Sequence, residues 1–364
     1  MKKPSFEDHT YLNSLRQRQT CALHIHWDGS IPFGTLWNFY QRRGEKLFLP
    51  ERYSDGRLLE GDREIKTRKQ LYDLRDGLFS KYGIVDVFEV PTRAMQTAAD
   101  LKTMARAHCH YLQTQNIVYA ETRFAPWYHA QEGGRGSTLT LDEVIGYSLE
   151  GFEQGKEKTG VKVKLIVSIN REVASEAAEK IVKASLHFAE RGVVGIDLAC
   201  YEPASPPELF ENAFAMTFDS PLKRTVHADE MVSEEEGKKN VHTAITLLRA
   251  NGIGHAVHLH KNPGLIQLMV ENHIRLESNP ISNLTCGFIR DIADLHLDTL
   301  AKQGVKVTIN PDDPQMWKMG DLVHNLYGLG KLYGGQFIDT VLRNAIESAW
   351  GLSDEEKQVL REQT

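Results

Sequence analysis

Cysteine is scarce in this chain: Cys21, Cys109, Cys200 and Cys286 are its 4 cysteines in 364 residues, and none stands in C-x-x-C spacing. Neither a disulfide framework nor a thiolate zinc site is indicated, and reduced thiols are expected. No run of about 18 apolar residues occurs, which excludes a hydrophobic membrane-spanning helix. The N-terminus, Met1 to His9, carries two lysines but lacks the apolar stretch of a secretory signal, so a cytoplasmic protein is expected. Positive charge is not in excess either. Lys and Arg number 43 against 49 Asp and Glu, a formal charge of -6, which leaves no electrostatic footprint for nucleic acid or an anionic membrane. Linkers rich in Pro, Gly or Ser, internal repeats and low-complexity segments are missing, and a single domain over 1–364 is expected.

The apolar share is 41% and the charged share 25%, an ordinary globular balance with enough apolar surface for a large core. Eight short runs read as strands: Cys21–His26, Ile117–Phe124, Val161–Ile169, Val193–Ala199, Arg224–Ala228, Gly254–Leu259, Ile274–Ser278 and Val305–Ile309. Amphipathic segments separate them, which predicts an α/β fold, a closed (β/α)8 TIM-like barrel. S-x-x-E capping boxes at Ser233–Glu236 and Ser353–Glu356, and the equivalent Thr140–Glu143, mark helix starts. About 90 residues separate the first two strands, far more than one crossover needs, so a helical insertion is predicted at about 30–110. Within it the charged stretch Glu60–Lys66 and the aromatic stretch Leu78–Tyr82 are expected to be helices over the barrel mouth.

Four runs near strand ends carry the chemistry: His24-Ile25-His26, His227-Ala228-Asp229-Glu230, Gly254-His255-Ala256 and Asn310-Pro311-Asp312-Asp313. Side chains alternate along a strand, so His24 and His26 share one face about 7 Å apart, within reach of one cation. One H-x-H pair alone is an ordinary pair of histidines. Joined by His227 and Asp312 it offers N3O ligation suited to Zn²⁺, one ion per chain, with room for a water. A barrel gathers such residues at the C-terminal ends of its strands, where the first and eighth strands are neighbours. The reaction expected is metal-assisted hydrolysis, with the ion lowering the pKa of its water toward ~7. Glu230 is a candidate acid for a ring nitrogen, His255 would orient or deprotonate the water, and Asp313 would accept a hydrogen bond from another polar edge. His258 and His260 read as structural or surface residues, and Asp28 equally as an Asx-type turn with Gly29.

These runs resemble the adenosine deaminase family of the metal-dependent amidohydrolase superfamily. Leu23-His24-Ile25-His26-Trp27-Asp28-Gly29-Ser30 is similar to its opening HxHxDG motif; Val193–Ala199, Thr225–Glu230, Gly254–Ala256, Pro280–Asn283 and Asp312–Pro314 follow in the family's order. The resemblance implies that His24, His26, His227 and Asp312 hold zinc, that Glu230 protonates purine N1 and that His255 positions the hydroxide attacking C6. It further implies Asp313 at N7 and Asp28 at the ribose 5′-hydroxyl, hence a small purine nucleoside as partner: adenosine or deoxyadenosine. Cys200 stands where the family usually has a glycine whose N–H reaches N3, and Asp229 replaces the usual glycine before the glutamate, adding a carboxylate near the site. These two departures leave adenine, aminodeoxyfutalosine and N6-substituted adenines as alternative substrates. A barrel hydrolase of amides or phosphoesters would often carry a modified lysine at the end of the fourth strand, where this chain has Leu198-Ala199-Cys200-Tyr201. A catalytically silent metal-binding barrel is the third reading, disfavoured because Glu230, His255 and every candidate ligand are present.

Overall fold

The structure is a computed structural model and describes residues 9–363. The N-terminal stretch read above for its lack of a signal therefore lies outside the described residues, apart from His9. Eight strands form one sheet: β1 Thr20–His26, β2 Ile117–Phe124, β3 Lys162–Asn170, β4 Val193–Ala199, β5 Lys223–Ala228, β6 Gly252–His255, β7 Arg275–Ser278 and β8 Lys306–Ile309. Each pairs in parallel with the next. Helices cover the outside, as in the expected (β/α)8 barrel.

The ring closes between β8 and β1 through the segment just after β8. His26 N–H donates to the Asp312 carbonyl (2.9 Å) and Asp312 N–H to the His24 carbonyl (3.2 Å). The Asn310 amide oxygen accepts from Leu23 N–H (2.8 Å) and His24 N–H (3.0 Å), so a side chain completes the seam.

Most expected boundaries hold within a residue or two, as helix and strand ends allow. The sixth run is the exception: β6 ends at His255 and does not continue to Leu259, because His255 and Ala256 both take left-handed φ values, 66° and 46°, which break the extended chain. The three capping boxes form as read.

The insertion holds the helices Phe33–Arg43, Arg68–Asp76, Ile84–Arg93 and Ala98–Thr114. Neither stretch expected to be helical is so. Residues 60–66 form a turn and one strand of a small antiparallel pair, Glu64–Ile65 with Leu47–Phe48. Asp62 turns the chain there by accepting Glu64 N–H at 3.0 Å, the Asx arrangement that competes with helix. Residues 78–82 are a turn that follows Gly77, since the helix before it starts at a Thr67/Gln70 capping box and is spent by Asp76. The helices present do overhang the mouth, through Ile84–Arg93.

Candidate active site

The strand ends bring His24, His26, His227, His255 and Asp312 together at the C-terminal face of the barrel. His227 Nδ1–H donates to the Asp197 carboxylate at 3.1 Å and His24 Nδ1–H to Glu277 at 3.0 Å. Each of these bonds fixes a tautomer and leaves a lone pair on Nε2. Arg123 runs between the two carboxylates, 3.3 Å from Asp197 and 2.8 Å from Glu277, so three buried groups orient two imidazoles.

The freed lone pairs face one another. His24 Nε2 lies 3.2 Å from Asp312 Oδ1, His26 Nε2 lies 3.3 Å from the same oxygen, and His26 and His227 Nε2 are 3.2 Å apart. His24 Nε2 is buried with no hydrogen-bond partner, and Ser282 Oγ takes the other Asp312 oxygen at 2.7 Å. Acceptors crowded at this spacing repel unless a cation lies among them. The edges of 3.2–3.3 Å are close to the ~3.4 Å expected between ligands of a tetrahedral ion with bonds of about 2.1 Å. The cluster therefore fits a metal ion. His24, His227, His255 and Asp312 lie within 4.8 Å of one another, as do His26, Asp312 and Asp313. His255 also belongs to the acid side of the site: its Nε2 is 3.5 Å from Glu230 Oε1, and the amides of Asn283 and Asn279 lie 2.8 Å and 3.3 Å from its two nitrogens.

Burial sets the proton states. It pushes the Glu230 carboxyl up to about 8 and holds His255 and His26 well below the ordinary imidazole range. Asp313 is also driven well above the carboxylate range, first by burial and then by Asp312 beside it. A neutral acid next to a neutral imidazole, with a metal cluster at hand, can deliver a proton and receive one.

A cavity of about 490 Å³ opens onto this cluster, within the usual span of small-molecule sites. Glu230, His255, Asp312, Asp313, Asp28 and Cys200 all line it. Asp313 Oδ1 is buried without a hydrogen-bond partner and packs against the Gly29 backbone. Gly29 is required opposite it, since a Cβ there would stand 1.8 Å from that oxygen. Asp28 both accepts the Gly29 N–H at 3.2 Å and faces the cavity, with burial raising its carboxyl to about 6. Cys200 sits at φ 75°, the left-handed conformation that glycine adopts most readily, and the residue forms part of the wall. From the insertion, Ile84, Val85, Phe88, Glu89 and Thr92 complete the mouth.

Asp229 adds a buried carboxylate beside Glu230 but is not among the residues lining the cavity. Its carboxylate turns to His258, accepting the backbone N–H at 2.7 Å and facing ring Nδ1 at 2.7 Å. His258 thus lies outside the cavity lining, bound to Asp229. Sequence reading passed over Arg123, Glu277 and Glu202 and left Asp197 and Ser282 without a role. The signal was available for three of these: Glu277, Arg123 and Asp197 are charged residues on barrel strands with no exposed face, and such residues need buried partners. Glu202 and Ser282, on short connecting segments, carried no comparable signal.

The model of the family described as adenosine deaminase matches residues 19–364. An adenosine deaminase of Enterococcus faecalis is 31% identical over 350 residues, covering 96% of each chain. Among solved structures, an adenine deaminase from Arthrobacter aurescens superposes with a TM-score of 0.79 at 22% identity, covering 95% of this chain and 98% of that one. An amidohydrolase from Burkholderia ambifaria with bound Zn gives 0.78 at 20% identity, covering 99% and 93%. The strand-end cluster, the acid beside it and these similarities agree: the chain belongs to the adenosine deaminase family and is a hydrolase acting on C–N bonds.

Proposed function

We propose that this chain is one zinc-dependent hydrolase domain, with its insertion at the mouth, that deaminates adenosine or deoxyadenosine to the 6-oxopurine nucleoside and ammonia. The observation that carries the reading is the set of Nε2 and Oδ1 acceptors 3.2–3.3 Å apart beside a Glu230 carboxyl held protonated. His24, His26, His227 and Asp312 would hold one zinc ion, a choice supported by the borderline N3O donor set and by the bound Zn of the Burkholderia amidohydrolase. When bound, zinc lowers the pKa of a water toward ~7. Glu230 gives its proton to N1 as water oxygen adds to C6, and His255, neutral and 3.5 Å from Glu230, orients that water and accepts its proton. His255 passes that proton to the departing amine while the hydroxyl proton left on C6 goes to Glu230, so adenosine and water yield inosine and ammonia and both residues regain their starting states. Asp313 meets N7, the Cys200 backbone meets N3, and Asp28 meets the sugar hydroxyl. The free thiols, with no disulfide among the described residues, support a cytoplasmic setting.

Adenine is the second reading, supported by the likeness to the Arthrobacter enzyme and by Cys200 in the cavity wall. Asp28 weighs against it, since free-base relatives tend to carry glutamate there. The deciding test is ammonia release by zinc-loaded protein from adenosine, deoxyadenosine, adenine, AMP, aminodeoxyfutalosine and N6-substituted adenines, with chelated protein as control. Chelator-sensitive turnover highest on adenosine or deoxyadenosine is expected. Turnover highest on adenine would replace the nucleoside reading, and silence on all would favour a metal-binding barrel without this activity.

A further inference from the structure

Three non-glycine residues at the ends of β5 and β6 hold left-handed backbones: Asp229 (φ 59°), His255 (66°) and Ala256 (46°). Such conformations persist only where surrounding contacts enforce them. Here the enforcing contacts run between the two strand ends. Ala256 N–H donates to the Ala228 carbonyl (3.0 Å) and Val257 N–H to the Asp229 carbonyl (2.9 Å). The Asp229 carboxylate then accepts His258 N–H (2.7 Å) with one oxygen and faces His258 Nδ1 (2.7 Å) with the other. From the opposite side, the buried Glu202 carboxylate accepts Asp229 N–H (2.8 Å), Glu230 N–H (3.0 Å) and an Asn240 side-chain N–H (2.8 Å). Glu230 follows Asp229 directly, and His255 precedes His258 by three residues.

The helix Glu234–Thr246 makes room for this arrangement. A Cβ on Gly237 would lie 2.0 Å from Asp229 Oδ1 and 2.8 Å from its Cβ, so the helix carries no side chain where the carboxylate needs the space. A glycine at 229 would reach φ 59° without strain. This chain instead keeps a strained aspartate, a histidine to bind it and a glycine to admit it.

We propose that Asp229 and His258 are positioning residues for the deamination, a clamp that fixes Glu230 against His255. Resting on the deaminase reading, the proposal concerns chemistry rather than substrate choice, because neither side chain lines the cavity.

The test compares wild type with Asp229→Gly, Asp229→Asn, His258→Leu and His258→Asn for kcat, KM, zinc content and Tm. Asp229→Gly and His258→Leu should lower kcat by about 10 to 100-fold with KM within about threefold and zinc retained, since slight misplacement of a proton donor costs rate rather than binding. Asp229→Asn keeps an acceptor and His258→Asn keeps a donor near the Nδ1 position, so both should recover most of the loss. Wild-type kcat in Asp229→Gly, or kcat falling only together with zinc content and Tm, would overturn the proposal. A Gly237→Ala substitution reads the clamp without turnover: it should lower Tm in the wild-type background and raise it with Asp229→Gly, where alanine regains its helical advantage over glycine. The same Tm change in both backgrounds would overturn the clamp. Failure of wild type to release ammonia from any aminopurine would remove the deaminase reading and, with it, the catalytic role of the clamp, whatever the stability cycle shows.

Discussion

On the proposed deaminase reading, Glu230 carries the proton transfer. Its carboxyl holds a proton at neutral pH because burial penalises the anion, with Asp312 and Glu202 adding to that penalty. Glu230→Gln keeps the shape and removes the transferable proton. It should retain metal and lower kcat by about 10² to 10⁴-fold, measured as ammonia release against metal content. The same residue sets a pH limb. In the metal-free protein the acid form is lost as pH rises through about 8. A bound cation favours the anion and moves that limb lower, so kcat/KM of the loaded enzyme should fall on the alkaline side at or below this point. The limb should be absent from the residual rate of Glu230→Gln; its survival there would assign it to another group.

At the scale of elements, the turn Asp28–Ser30 and the segment after β8 are fitted to each other. Gly29→Ala would drive a methyl into Asp313 Oδ1, which a Cβ would approach to 1.8 Å. The expected result is a KM raised by about tenfold or more with zinc still bound, because Asp313 is displaced and the metal cluster is not. An unchanged KM would show that Asp313 makes no substrate contact. The same turn illustrates what was legible in the sequence. Alternation along β1 placed His24 and His26 on one face, and strand-end position predicted that Asp312 would meet them. The carboxylates behind the histidines were harder to read, because pairing Asp197 with His227 or Glu277 with His24 depends on which strands neighbour which across the ring. The insertion was misread in its interior. Charge along 60–66 implied a helix face, whereas the Asp62 turn and a two-residue strand pair answer to local hydrogen bonds that composition does not reveal. The direction of the Asp229 side chain was illegible for a related reason: it depends on the absent side chain at Gly237, in the helix Glu234–Thr246.

At the scale of the whole molecule, buried neutral histidines make the fold acid-sensitive. Burial lowers His108 to about 3 and His129 to about 4. The unfolded chain protonates near 6.5 while the folded chain does not, so stability is full above about 6.5 and falls as pH drops toward the folded values. At pH 5 each ring should cost about 2 kcal/mol relative to neutral pH. Urea midpoints should fall between pH 7 and 5, and His129→Gln should flatten that slope; an unchanged slope would remove this ring from the acid response. Chelation adds a second whole-molecule effect. A ligand bound only by the folded state stabilises it by mass action, so removing metal should lower Tm, and restoring zinc should raise it with concentration.

The seam between β8 and β1 has a consequence for the order in which the protein is made. Asn310 holds the backbone of His24 across 286 positions, so the first strand to leave the ribosome pairs on one side early and waits for its other neighbour until almost the whole chain exists. At about 5–20 residues per second that wait is on the order of half a minute. Throughout it the nascent barrel is an open crescent with two bare edges, and its histidines lack the aspartate that completes them. An ion held by all of these side chains would therefore be captured only after Asp312 has been made.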